Sequence, residues 1–205
     1  MINKFVKLLK ILQMIILLPV ELIWLLVYFT CSERKKIDMD IEEFAKHHHR
    51  TYNNKTRLFL LLLDLMWVSE FRKLFLYRIG EIRVIMKYLM GRGVSIGFDV
   101  PRKKFGGGLY IQHGFRTVIS AREVGEHCMI NQLVTIGYRG DGCPSIGNNV
   151  RIGSGAIIIG DVRVGNNVNI GAGAIVVHDV PDNCTVCSPE AVIVKRQDLV
   201  QQAAE

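Results

Sequence analysis

Residues 146–181 read IGNNVR, IGSGAI, IIGDVR, VGNNVN, IGAGAI and VVHDVP when the chain is divided into blocks of six. An aliphatic residue opens every block, and the fifth place of every block is Val or Ala. The same register continues upstream through Val118, Val124, Ile130 and Ile136. Self-similarity at a fixed period is typical of a solenoid, so the sequence predicts a parallel β-solenoid over about residues 118–180.

The residue types follow from the geometry of such a coil. Each block is a short strand and a corner, with its opening aliphatic side chain in a narrow interior and its small fifth side chain where the walls converge. Gly and Asn cluster at the corners because both adopt positive φ at low cost. The alternative, a β-sandwich with Gly-rich turns, would need a strand about every 8–12 residues.

The register breaks between Ile136 and Ile146, which are ten residues apart instead of six. The extra residues, about 138–141, are therefore predicted to leave the coil as a loop. Insertions in repeat proteins often lie on the binding face. This loop is consequently a candidate part of a functional site.

Composition bounds the class of protein. The 205-residue chain accommodates one domain and an accessory segment. Residues 1–91 hold 15 Lys and Arg against 9 Asp and Glu, a net charge of +6, whereas the remainder holds 11 against 10, a net +1. Because this charge accompanies apolar runs, it favours an anionic membrane surface over nucleic acid as a partner. Five scattered cysteines, an odd number, imply no disulfide framework and favour a cytoplasmic setting.

Residues 11–29 are almost entirely apolar but include Pro19 and Glu21. About 20 apolar residues can span a bilayer, whereas a central Glu and a Pro disfavour a span. We expect a membrane-embedded or interface-lying helical hairpin at the inner face of the cytoplasmic membrane. The alternative is a helical cap that packs on the other subunits of a trimer. The expected segments are 1–36 (apolar, membrane-associated), 37–92 (helical accessory, with helices near 58–68 and 70–80), 93–195 (β-helix) and 196–205 (tail).

Chemistry is expected in residues 106–116, which read GGGLYIQHGFR. Glycines surround His113, so a ligand can approach it closely. Asp99 lies fourteen residues upstream, and because one turn of three blocks takes about 18 residues, the two side chains could return to one corner. A His held by an Asp is the usual general base for a hydroxyl. A structural corner histidine is the alternative, and His127 and His178 are interpreted as surface residues.

Three features resemble the serine acetyltransferase family of hexapeptide-repeat O-acetyltransferases: residues 108–113 (GLYIQH), residues 134–137 (VTIG) and the blocks from Ile146 onward. The resemblance covers about residues 70–195. It implies a mainly β fold, a left-handed parallel β-helix with an N-terminal α-helical, apolar segment. It also implies a homotrimer that binds acetyl-CoA, without a metal, in the groove between subunits.

The same resemblance implies residue roles. His113 would deprotonate the acceptor hydroxyl, which then attacks the thioester, and Asp99 would orient His113. Relative to the family, one residue is missing between Asp99 and Pro101. The residues implied in cofactor binding are Gly137, Ala156 and Ala174 along the pantetheine, and Lys195 and Arg196 at the nucleotide phosphates.

The departures from the family concern the substrate. Gln112 stands where the family has Asp, Gly142 and Cys143 stand where it has Arg-His, and its closing Gly-x-Pro-Ala-Arg is altered to CSPEA at residues 187–191. Gln112, Gly142 and Cys143 are expected at the substrate site but carry no charge for the ammonium and carboxylate of serine. Each missing charged contact would cost about 1.5–3 kcal/mol.

We therefore expect acetyl transfer to a hydroxyl of a sugar in surface polysaccharide biosynthesis. L-serine is the alternative acceptor. A non-catalytic trimeric scaffold is the alternative of another class.

Overall fold

The structure is a computed structural model that describes residues 22–80 and 96–189. Four helices come first: α1 (residues 22–30), α2 (Arg34–His47), α3 (Arg57–Trp67) and α4 (Ser69–Arg78). The strands of residues 96–189 are β1 (Ile96–Asp99), β2 (Tyr110–Ile111), β3 (Thr117–Ser120), β4 (Glu123–Val124), β5 (Met129–Ile130), β6 (Thr135–Gly137), β7 (Ser145–Ile146), β8 (Arg151–Ile152), β9 (Ile157–Ile159), β10 (Arg163–Val164), β11 (Asn169–Ile170), β12 (Ile175–Val176) and β13 (Thr185–Val186).

The strands pair in parallel and form the three faces of a prism. Face A holds β1, β3, β6, β9 and β12; face B holds β4, β7 and β10; face C holds β2, β5, β8, β11 and β13. The chain visits faces A, B and C in turn for about five turns. The predicted parallel β-solenoid is confirmed, and its first described strand starts at Ile96, before the repeats that the sequence shows from Val118 onward.

The interior of the coil is filled by the predicted positions. The opening aliphatic residues from Val124 to Val176 are buried, as are the fifth-position residues from Cys128 to Val180. One predicted interior residue is wrong: Val118 is 43% exposed, and Ile119 is buried in its place. Ile119 pairs with Ile136, so the register is shifted by one residue at this turn.

Corner asparagines stack above one another along the coil. Asn149, Asn167 and Asn183 all adopt φ between 55° and 61°. The side-chain amide of Asn149 donates to that of Asn167 at 3.1 Å, and the amide of Asn167 donates to that of Asn183 at 3.0 Å. Asn therefore stabilises the corner in two ways: it tolerates positive φ, and its side chain hydrogen-bonds to the turns above and below.

Aromatic side chains pack the helices against the first turn of the coil. The Phe44 ring of α2 lies edge-on to Phe71 of α4 and to Tyr110 of β2, with centroids 5.1 and 4.8 Å away. The predicted helix at 58–68 is confirmed as α3. Within the described ranges, no helix combines the length and apolar composition needed to cross a bilayer.

A buried ion pair joins helices and coil. Arg78 of α4 donates from Nε and Nη2 to the carboxylate of Asp40 in α2, at 3.0 and 3.2 Å, and both side chains are 1% exposed. Arg78 also donates to the carbonyl of Phe105 at 2.8 Å, and Asp40 accepts the amide of Leu109 at 2.9 Å. The helical segment is therefore fixed to the start of the coil. Residues 81–95, which contain the predicted boundary at 92, lie outside the described residues, as do most of 1–36 and all of 196–205.

Candidate active site

His113 lies in an enlarged corner between faces C and A, residues 112–116. From Ile111 to Ile119 the chain takes eight residues, whereas the same step takes six from Ile130 to Ile136 in the next turn. The two extra residues form a tight turn in which the amide of Phe115 donates to the carbonyl of His113 at 2.6 Å. The corner therefore protrudes from the regular prism.

The backbone of this corner holds the imidazole outward. His113 has φ 51°, a conformation that is uncommon for a residue other than Gly, and its side chain is exposed. Gly114 permits the turn because a Cβ there would lie 2.5 Å from Cγ2 of Ile111 and 2.7 Å from Cδ1 of Ile96. Gly114 therefore packs against Ile111 and Ile96 beneath the corner, and His113 lies on the surface of the corner.

A cleft of about 640 Å³ lies at the other edge of face A. Its lining combines α4, the segment after β1, and residues 138–143, which we call the insertion loop; the contributing residues are Tyr77, Phe98, Asp99, Val100, Pro101, Arg102, Lys104, Ala121, Arg122, Tyr138, Asp141 and Cys143. Arg139 and Gly142 exchange backbone hydrogen bonds of 3.1 and 3.2 Å, which closes the loop as a hairpin. The outward loop predicted from the ten-residue interval is confirmed.

Asp99, Tyr138 and Cys143 lie together in this cleft. Cys143 is buried, and its Sγ lies 3.9 Å from the carbonyl oxygen of Ser120. Cys143, through a shared hydrogen bond and its charge, raises the pKa of the Tyr138 phenol, and the charge of Asp99 adds to this effect. The cleft therefore presents a carboxylate, a phenol and a thiol to a bound molecule.

The two predicted catalytic residues lie at opposite edges of face A. Asp99 ends β1 and aligns with Ser120, seven residues after His113, whereas the start of β1 packs on Gly114 beside His113. At about 3.3 Å per residue, a strand of this length separates the edges by roughly 10 Å. Within the described residues no hydrogen bond or ion pair joins the two side chains. The expectation that positions fourteen apart return to one corner was wrong for a single chain, and the orienting role of Asp99 stays a prediction.

The predicted cofactor residues are placed differently from one another. Gly137 ends β6 and is buried, but a Cβ there would meet only Cγ2 of Thr135 at 4.0 Å, so there is unfilled space beside this residue. Ala156 and Ala174 are buried inside the coil, so their methyl groups cannot line a channel on its surface. Lys195 and Arg196 lie outside the described residues.

The predicted substrate residues fall into two groups. Gln112 is partly buried beside His113, whereas Gly142 and Cys143 belong to the insertion loop at the cleft. Sequence reasoning reached Tyr138 only as part of the predicted loop at 138–141 and missed Arg122 as a lining residue. Tyr138 carried a usable signal because it opens the insertion, while Arg122 had none because it follows a regular strand.

Comparison with known proteins shows to which protein family this chain is related. Residues 144–178 match the family described as "Bacterial transferase hexapeptide (six repeats)". The Escherichia coli K12 protein WcaB, named as an acetyltransferase of colanic acid biosynthesis, is 37% identical over 113 residues, 53% of this chain and 67% of that protein. The chain belongs to the serine acetyltransferase-like family of hexapeptide-repeat acetyltransferases. The serine acetyltransferase of Synechococcus elongatus is 40% identical over 101 residues, which are 47% of this chain but only 41% of that family member.

Solved structures of the family share the fold. The serine acetyltransferase of Neisseria gonorrhoeae has a TM-score of 0.58 and 27% identity, and the match covers 79% of this chain and 66% of that one. A serine acetyltransferase in complex with CoA has a TM-score of 0.58 at 24% identity, over 80% of this chain and 70% of that one. The coil is accordingly a left-handed β-helix.

Proposed function

We propose that this protein transfers the acetyl group of acetyl-CoA to a hydroxyl of a sugar in surface polysaccharide biosynthesis. The observation that carries the proposal is His113, whose imidazole is held outward at positive φ on an enlarged corner of an otherwise regular coil. Other corners of the coil also adopt positive φ at non-glycine residues, His127 and Leu133 among them, so the enlargement of the corner is what distinguishes His113. A structural corner residue would not need two extra residues to expose it.

The proposed reaction needs one base. The imidazole of His113 takes the proton of the acceptor hydroxyl as the oxygen attacks the thioester carbonyl. The C–S bond then breaks, and the imidazolium returns its proton to the CoA sulfur. The products are an acetyl ester and free CoA, and no other reactant is consumed.

The absence of charge at the substrate positions supports a sugar acceptor. Gln112, Gly142 and Cys143 offer amide, backbone and thiol groups, which hydrogen-bond to hydroxyls, and none of the three replaces the charged partners that the family has for serine at these positions. The two charged contacts that serine would lose are worth about 1.5–3 kcal/mol each. The likeness to WcaB, whose name places it in polysaccharide biosynthesis, points the same way.

Acetyl-CoA is the proposed co-substrate. Gly137 leaves unfilled space beside β6, so an extended chain such as pantetheine can approach the backbone there. The backbone at Ala156 and Ala174 would continue the contact, and Lys195 and Arg196 would meet the phosphates. A metal ion has no part in the proposed chemistry.

A homotrimer is the proposed assembly, and the outer side of face A supports it. Apolar side chains project from this face and from the corners at its edge: Ile175 and Val118 are 65% and 43% exposed on the face, and Phe115 and Leu133 are exposed at the corners. His113 and the cleft flank face A on its two edges. Packing three prisms through this face would bring the His113 corner of one protomer beside the cleft of the next, so that a complete site forms between subunits.

The test is acetyl transfer by the purified chain. We expect release of free CoA thiol from acetyl-CoA with sugar acceptors, offered as free hexoses, nucleotide-linked hexoses and repeat-unit oligosaccharides. L-serine is the comparison acceptor because several relatives are named serine acetyltransferases. Robust turnover with L-serine and none with sugars would contradict the proposed acceptor, and no turnover with any acceptor would favour a non-catalytic scaffold.

A further inference from the structure

Two segments distant in sequence form one basic surface. Arg34, Lys35 and Lys36 begin α2, and Arg102, Lys103 and Lys104 follow β1. The Nζ of Lys36 donates to the carbonyl oxygens of Arg102 and Lys103 at 3.0 and 3.4 Å, which brings the segments together. The side chains of Lys35, Arg102, Lys103 and Lys104 are exposed. Glu33 offsets part of this charge through its 2.6 Å ion pair with Lys36.

An apolar stripe adjoins the basic surface. On α1, Leu22, Leu26 and Phe29 recur at intervals of four and three residues, and all are exposed. Residues at these intervals share one helix face, and the opposite face carries the buried Trp24 and Tyr28. The guanidinium of Arg34 lies 4.9 Å from the centroid of the Phe29 ring, so the stripe continues directly into the basic surface.

We propose that the α1 stripe and the basic surface together dock this protein on an anionic phospholipid bilayer. An interfacial helix binds through an apolar face that enters the acyl boundary and cations that meet acidic headgroups, and each nearby Lys or Arg adds about 1 kcal/mol to that attraction. Lys35, Arg102, Lys103 and Lys104 are exposed on this surface, which therefore matches acidic headgroups in charge. The sequence before α1 has the same character, with Lys4, Lys7 and Lys10 preceding an apolar run.

The docking surface borders the cleft. Arg102 and Lys104 belong to the basic surface and also line the cleft that holds Asp99 and Cys143. In a docked protein the mouth of the cleft would therefore lie beside the headgroups, where the sugar of a lipid-linked acceptor lies. This last consequence rests on the proposed function, whereas the docking on lipid does not.

The test is cosedimentation of the full chain with vesicles. Wild-type protein should bind vesicles of phosphatidylcholine mixed with phosphatidylglycerol, and binding should weaken as salt rises because exposed charges are screened. Lys35→Glu combined with Lys103→Glu should lower the partition coefficient at least about tenfold. Leu26→Asp should lower it as well, because it places a charge in the apolar stripe.

The matched control reverses two other exposed cations, Arg151→Glu with Arg163→Glu, on faces C and B. This control should bind the anionic vesicles like the wild type, and the thermal unfolding of all variants should coincide. Equal binding by the Lys35/Lys103 variant and the control would overturn the proposal. Equal binding of wild type to pure phosphatidylcholine, or no binding to either vesicle, would overturn it too. CoA release with a soluble acceptor reports on the proposed function separately.

Discussion

At the scale of single residues, His113 combines exposure with a left-handed backbone. Its φ of 51° costs a side chain other than Gly or Asn about 1 kcal/mol or more, and the surrounding corner must hold it there. The glycine after it packs on Ile96 and Ile111, so the turn cannot relax inward. The strain is local, and the imidazole is exposed.

The first prediction concerns this imidazole. His113→Asn removes the base but keeps a residue that tolerates positive φ, so folding should be retained. Loss of a general base typically lowers the rate by about 10²–10⁴-fold, and we expect a fall in kcat of that size in the CoA-release assay. His178→Asn, at another exposed corner histidine, should leave kcat unchanged. Equal activity of the two variants would contradict the assignment of His113.

The second prediction concerns thiol reactivity. Burial raises the pKa of Cys128 to about 12, and only the thiolate reacts readily. Cys187 is exposed. Maleimide labelling at neutral pH, read by peptide mass spectrometry, should modify Cys187 in the native protein and Cys128 only after denaturation. Prompt native labelling of Cys128 would show that its turn of the coil opens.

Residue-scale predictions from sequence succeeded where the repeat fixes the environment. Interior positions such as Ile158 follow from the six-residue period alone. Val118 failed because the enlarged corner at His113 shifts the register, and a period cannot report a shift. Ala156 and Ala174 were assigned to a ligand channel by resemblance, and their buried side chains mean that only a backbone contact with a ligand stays a prediction.

At the scale of elements, the corner asparagines hold successive turns together. Asn167 bonds to Asn149 above and to Asn183 below. No strand of the prism exceeds four residues, so each turn contributes few ladder bonds within the described coil. Side-chain bonds at the corners therefore add to the stability of stacking.

The third prediction tests this stack. Asn167→Ala loses both amide contacts and places Ala at positive φ, so the free energy of unfolding should fall by about 1–2 kcal/mol. Asn167→Gly loses the same amide contacts, but Gly adopts positive φ without strain, so the free energy of unfolding should fall by less than for Asn167→Ala. Asn169→Ala, in an outward strand position, should change the value by less than about 0.5 kcal/mol. Urea unfolding measures all three, and equal costs for Ala and Gly would exclude the backbone contribution.

The insertion loop was predictable as an element, since a ten-residue interval in a six-residue period needs an exit from the coil. The enlarged corner was also visible in the sequence, because the step from Ile111 to Ile119 takes eight residues instead of six. It was missed because the register upstream was drawn through Val118. The cleft was not predictable, because its walls come from α4, β1 and the loop, which no local pattern relates.

At the scale of the whole molecule, the buried ion pair between α2 and α4 also bonds to backbone groups at the start of the coil. Burial raises the pKa of Asp40, while the Arg78 guanidinium and the Leu109 amide oppose this by stabilising the carboxylate. Both side chains are nearly inaccessible. A charge left alone in such a place has no water to replace its partner.

The fourth prediction follows from that burial. Asp40→Ala should lower the free energy of unfolding by about 3–5 kcal/mol because Arg78 stays buried without a counter-charge. The matched control is the exposed pair of Arg122 and Asp161, at 2.8 Å, where Asp161→Ala should cost less than about 1 kcal/mol. Thermal or urea unfolding measures both, and similar costs at the two sites would contradict the role of the Asp40 pair as the joint between the helical and coiled parts.

The whole assembly is where sequence reasoning ends. The repeat predicts the prism, but not that Asp99 and His113 occupy opposite edges of one face, because that depends on the register of β1 and β3. The resemblance had already placed acetyl-CoA between subunits, and the separation removes only the expected contact of Asp99 with His113 within one chain.

A structure of the protein with bound CoA tests the central claim most directly. We predict a trimer in which the CoA sulfur lies between subunits, near the imidazole of His113 from one protomer and the cleft of its neighbour, with room for one hydroxyl between sulfur and imidazole. A CoA sulfur remote from His113, or a protein that does not assemble in threes, would contradict the account.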